Sequence, residues 1–167
     1  MDVINDLVRI KIFREEKAEL AMLKAKAKLI EAEEALGHAR KVLREHKEHC
    51  ISREKALYDD LCSRIVLLKD INSVTLDIDL MGEETLRLEQ GLENIKTERN
   101  NASDELDEAK KVHRSAVQMR EKFTEIKETI DAEKLAELLQ KEDLELEEVG
   151  NKYQTETEDI TDALDFC

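Results

Sequence analysis

No proline interrupts the chain, tryptophan is absent, glycine occurs four times in 167 residues, and aromatics make up 3%. Each shortage excludes something. Without proline, no backbone N–H is missing and nothing forces a helix to stop. With so few aromatics, a compact core of the usual kind is not available, and the chain is expected to bury a seam and not a centre. The three cysteines, Cys50, Cys62 and Cys167, are odd in number and form no framework, which favours a reducing compartment. No apolar run reaches the 18 residues that a membrane span needs. Asp2, Asn5 and Asp6 interrupt any early apolar stretch, so no signal peptide is expected and the cytosol is the default location. There is no glycine-rich phosphate loop, dinucleotide fingerprint or HExxH pair. The expectation is a non-enzyme with no cofactor.

Charged residues are plentiful, at 41%, and the formal charge is −14. Nucleic acid wants a basic stripe, so it is not an expected partner. The charge is uneven. Residues 1–57 hold 13 Lys or Arg against 11 Asp or Glu, whereas residues 140–167 hold Lys141 and Lys152 against 10 acidic residues.

Between Leu7 and Leu57, Ala, Leu, Lys and Glu dominate, all strong helix formers. Two registers repeat every seven residues. One is bulky: Met22, Leu29, Leu36, Leu43, Cys50 and Leu57. The other is small, Ala18, Ala25, Ala32 and Ala39, passing to His46 and Arg53. Their offset is the a/d spacing of a coiled-coil seam. A second helix carries Leu88, Ile95, Ala102, Ala109, Ala116, Phe123 and Ile130. Its companion row is Leu92, Arg99 and Leu106, then Val112, Met119 and Ile126, a one-residue shift near Leu106. Polar Asn100, Asn101, Ser103 and Asp104 do not interrupt the track, so one continuous helix is expected there.

The Lys/Glu pattern vanishes over residues 72–82, where β-branched residues alternate with Asp ahead of Gly82. That stretch predicts the chain reversal. The expected fold is therefore all-α, a long antiparallel two-helix coiled-coil hairpin over residues 1–150. Its helices are expected at 4–70 and 83–149, joined by a reversal at 71–82. Gly150 and Asn151 resemble a helix C-cap. Residues 151–167 then form a flexible acidic tail, disordered or helical only with a partner. A reversal centred near residues 77 and 78 sets Ala39 against Ala116, Ala32 against Phe123, Ala25 against Ile130, Leu43 against Val112 and Leu36 against Met119. No outer face carries a long oligomerisation seam, so the isolated chain is expected to be a monomer.

His46 and Cys50 lie one turn apart and His113 could approach them. Zinc needs three or four converging ligands, and ordinary seam filling is the reading taken; no metal is expected. The many carboxylate pairs are read as solvation and i,i+4 helix support. Arg9, Lys11, Arg14 and Lys17 are different. They interleave with Ile10, Ile12 and Phe13, which cannot all face one narrow seam. An apolar remainder among cations marks a candidate partner-binding surface: Arg9, Lys11, Ile12, Phe13, Arg14 and Lys17.

The run from Arg9 to Glu19, Arg-Ile-Lys-Ile-Phe-Arg-Glu-Glu-Lys-Ala-Glu, resembles the opening of the YscO family of type III secretion stalk proteins, relatives of the flagellar export protein FliJ. That family's pattern is Arg-x-Lys-x-Leu-Arg-x-x-Arg-Ala-Glu; Phe13 stands at its leucine and Lys17 at its last arginine. The resemblance implies a cytoplasmic, non-enzymatic stalk held peripherally at the secretion apparatus of the inner membrane. It implies that the hairpin's termini enter a hexameric secretion ATPase, with an export gate component as a further partner. It also implies binding and recycling of secretion chaperones, which is the alternative role; a generic coiled-coil tether is another.

Overall fold

A computed structural model describes residues Val3–Leu164, with side chains described as far as Gln154. The chain is an antiparallel two-helix hairpin, α1 (Val3–Ser63) and α2 (Leu68–Leu164). It falls into two compact units. One joins the start of α1, up to Glu15, with α2 from Ala116 onward; the other comprises Glu16–Ser115.

The reversal lies at residues 64–67, ahead of the expected 71–82. Residues 71–82 are instead the first turns of α2. Val74, Ile78 and Met81 are half-buried, and their i, i+4, i+7 spacing is helical. Their alternation with Asp77 and Asp79 mimics a period of two. Gly82, expected to close the reversal, sits inside α2 with ordinary negative φ. The actual turn, Arg64-Ile65-Val66-Leu67, has no turn-forming residue. Side chains of its neighbours hold it. Ser63 Oγ donates to the Asp60 carbonyl at 2.9 Å, satisfying one of the orphan acceptors at the end of α1. Asp70 accepts the Leu67 backbone N–H at 2.9 Å, the half of a capping box in which an acidic N3 residue reaches back. Arg64 spans the two, 3.3 Å from Asp60 and 3.7 Å from Asp70.

Moving a reversal by about a dozen residues moves every pairing by about twice as many, so the register also differs from expectation. In the unit Glu16–Ser115, Lys28 pairs with Glu105 at 2.9 Å, Glu33 with Arg99 at 3.3 Å and Lys47 with Glu89 at 2.8 Å. Ala32 shares a cavity wall with Ala102, three heptads from the expected Phe123. The two α1 tracks and the Leu88–Ile130 track hold, because they depend on each helix alone. Ala18, Leu36, Leu43, Ala102 and Leu106 are buried here, and Met22, Ala25, Leu29, Ala32, Ala39, His46, Cys50 and Leu57 are half-buried. Arg53 is the exception, exposed while Glu54 takes the inner side.

His46 fills its seam position with a hydrogen-bonded ring. The Thr85 hydroxyl donates to the Met81 carbonyl at 2.9 Å, so its oxygen is left to accept from His46 Nε2 at 3.1 Å. Cys50 Sγ lies 3.3 Å from the same nitrogen. These partners, and not His113, surround His46. Among the described residues no three His, Cys, Asp or Glu side chains converge as a metal site requires.

The companion row on α2 does not shift at Leu106. It keeps strict seven-residue spacing through His113, Arg120 and Lys127, all half-buried, while Val112, Met119 and Ile126 are 58%, 44% and 38% exposed. Apolarity pointed one way along the helix and periodicity the other. Periodicity prevailed, and one of the polar residues, Arg120, is paired across the seam with Glu15.

The helix does not stop at Gly150 and Asn151: the backbone is helical to Leu164. Residues 165–167 of the expected tail, Cys167 among them, lie outside the described residues.

Candidate partner-binding site

In the unit built from the start of α1 and the end of α2, the inward face of α1 is Ile4, Leu7, Val8, Lys11 and Glu15; Val8 is buried. Two of these are charged, and both are matched from α2. The Lys11 ammonium lies 4.7 Å from the centroid of the Phe123 ring, a cation–π contact. Glu15 pairs with Arg120, side chains 22% and 33% exposed. These contacts take over the bulky and small registers at this end of the hairpin. Sequence reading missed Glu15, Arg120 and Lys127 as seam residues. For the two on α2, seven-residue spacing from Leu92, Arg99 and Leu106 was the available signal.

With those residues inward, Arg9, Ile10, Ile12, Phe13 and Arg14 face out. Phe13 is 64% exposed and Ile12 40%. At about 100° per residue, Arg9 and Phe13 stand on the side of α1 away from α2. Arg9 and Arg14 make no ion pair among the described residues. The structure thus brings four of the six expected residues, Arg9, Ile12, Phe13 and Arg14, onto the outer surface. Lys11 is withdrawn into the seam. Lys17, in the other unit, is exposed in its own right.

A reversal centred near residues 77 and 78 would also set Leu138–Val149 alongside the start of α1. The register excludes this, since Lys11 already meets Phe123 and Glu15 meets Arg120. From Asp131 to Gln154 every residue is exposed. Leu135, Leu138, Leu139, Leu146, Val149 and Tyr153 fall near one another at helical spacing, each more than half exposed. Carboxylates dominate the flanks. The molecule therefore presents an apolar surface with basic neighbours on α1 and another with acidic neighbours on α2. Neither has the enclosed polar geometry of a reaction site, and both suit protein contact.

Comparison with known proteins agrees with this picture. The profile of the family described as type III secretion protein YscO matches residues 4–152. A 2.8 Å crystal structure of the type III secretion protein YscO from Vibrio parahaemolyticus has a similar fold, with a TM-score of 0.80 and 22% identity over 87% of this chain and 92% of that one. No curated protein matches the chain by sequence. Matched across most of its length, this chain belongs to the YscO family, the non-enzymatic, stalk-type proteins of type III secretion.

Proposed function

We propose that the protein positions or stimulates a hexameric secretion ATPase through the outer face of α1 at Arg9, Ile12, Phe13 and Arg14, and links that ATPase to the export gate. The observation that supports this reading most is the exposure of Phe13 between two arginines that lack an ion pair among the described residues, on a chain of net charge −14. Charge guides encounter with an acidic-rimmed pocket, and the desolvated apolar anchor holds. Family membership supplies the class of partner; charge and periodicity do not. The turn offers a separate apolar surface, with Ile65 98%, Leu67 69% and Leu68 73% exposed, suited to the gate component. Among the described residues no helix is long and apolar enough to cross a membrane. In this reading the protein is cytoplasmic and is held peripherally at the inner-membrane apparatus through its partners.

A pull-down of the intact protein and an Arg9→Glu/Arg14→Glu variant, with cognate ATPase and secretion chaperone as separate preys, tests the reading. Loss of ATPase binding alone supports it. Loss of chaperone binding alone reassigns the surface to chaperone binding and recycling, and normal binding of both by a folded variant overturns the role given to this surface.

A further inference from the structure

A second surface with basic neighbours lies on α1 in the unit Glu16–Ser115. Arg40, Leu43, Arg44, Lys47, Glu48 and Ile51 of α1, with Leu92 of α2, line an open groove of about 300 Å³. Its floor is apolar. Leu43 is buried, Leu92 half-buried, and Ile51 is 70% exposed at one end. Arg40, Arg44 and Lys47 recur at i, i+4 and i+7, so they form one edge along the helix. Lys47 is matched by Glu89 at 2.8 Å. Arg40 and Arg44 have no ion pair among the described residues, although nearby Lys41, Lys96 and Arg99 all do.

We propose that this groove docks an acidic amphipathic helix of a partner protein, laid along α1 as a third helix. The surface is independent of the Arg9–Arg14 face and goes beyond the reading given to it. The dimensions suit a helix: Leu43 to Ile51 is about two turns, enough for two or three apolar side chains in the i, i+3/i+4, i+7 pattern of helix-in-groove recognition. The charge selects which helix. Arg40, Arg44 and Lys47 outnumber the one carboxylate of the lining, Glu48, so the rim is net basic; its two arginines without an ion pair match carboxylates flanking an apolar row, and Arg presents a fork suited to carboxylate. Nucleic acid is a poorer fit, because no aromatic lines the groove for base stacking.

Two designed, labelled helical peptides test the proposal, each with one leucine row, one flanked by Glu and the other by Lys. Fluorescence anisotropy would follow their binding to the full chain, an Arg40→Gln/Arg44→Gln variant, an Ile51→Ser variant and the Arg9→Glu/Arg14→Glu variant. The expected result is binding of the Glu-flanked peptide that weakens about tenfold or more in the Arg40/Arg44 and Ile51 variants, weakens with salt, and is unchanged in the Arg9/Arg14 variant. Circular dichroism melts would verify that the variants fold. Equal binding of both peptides, or no loss in the folded Arg40/Arg44 variant, would overturn the proposal. So would self-association of the intact chain in sedimentation that the Arg40/Arg44 changes abolish, because the groove would then belong to a second copy of this chain.

Discussion

The ammonium of Lys11 sits 4.7 Å from the centre of the Phe123 ring, joining residues more than 100 positions apart through a contact that neither a leucine nor a neutral amide could reproduce. Phe123→Leu keeps most of the apolar volume and removes the ring face. Lys11→Gln removes the charge. A double-mutant cycle in denaturant melts should give a coupling of about 0.5–1 kcal/mol; additive effects would show that the ring and the cation act separately.

Glu15 and Arg120 provide a test of register. Glu15→Arg places two guanidinium groups together and should lower stability, as should Arg120→Glu. The double swap Glu15→Arg/Arg120→Glu should recover most of the loss. Because these side chains are about one-fifth and one-third exposed, the pair itself is expected to be worth only about 0.5–1 kcal/mol. No recovery on swapping would place the two residues in different pairs.

The small-residue seam responds differently at different positions. Ala102 is 3% exposed, and Ala102→Leu should cost about 1–3 kcal/mol by overpacking. Ala32→Leu should be milder, because Ala32 is only half-buried, although both residues line the same open cavity of about 420 Å³. Under the pairing expected from sequence, with Ala32 against Phe123, it would have been severe. Thermal melts of the two variants distinguish the registers.

Glu84 is held below the usual carboxylate value by its hydrogen bond from Arg87, aided by the arginine's charge and that of His46 and opposed by desolvation. A lowered folded-state pKa means that the stabilisation is present above the ordinary value of 4.5 and is lost as pH falls through the folded one. In Arg87→Gln, an NMR titration should find Glu84 moved up toward 4.5. An unchanged titration would assign the shift to another neighbour.

Much of the hairpin is legible in the sequence for one reason: a heptad track is a property of a single helix. Ala18 to His46 and Leu88 to Ile130 could be read without knowing what they touch. The turn could not. Arg64-Ile65-Val66-Leu67 carries no glycine, proline or asparagine, and its geometry depends on Asp60, Ser63 and Asp70 outside it. Missing it displaced the register, and with it the place of Leu138–Val149. The outer surface was half legible. Excess apolarity marked Ile12 and Phe13, but the withdrawal of Lys11 follows from Phe123, more than a hundred residues away.

The position of the turn also sets an order for closing the chain. Lys47 and Glu89 are separated by a loop of about 40 residues, whereas Lys11 and Phe123 span more than 100; closing the longer loop first would cost about 0.9 kcal/mol more in chain entropy. Pairing that starts beside Arg64 and advances toward the termini avoids that cost, each contact shortening the next gap. During synthesis α1 emerges complete before any of its partners exists. The pairs of Glu15 and Lys11 then form late, with only the contacts of Val8, Leu7 and Ile4 to follow, and the face carrying Phe13 acquires its support only after Arg120 and Phe123 have left the ribosome.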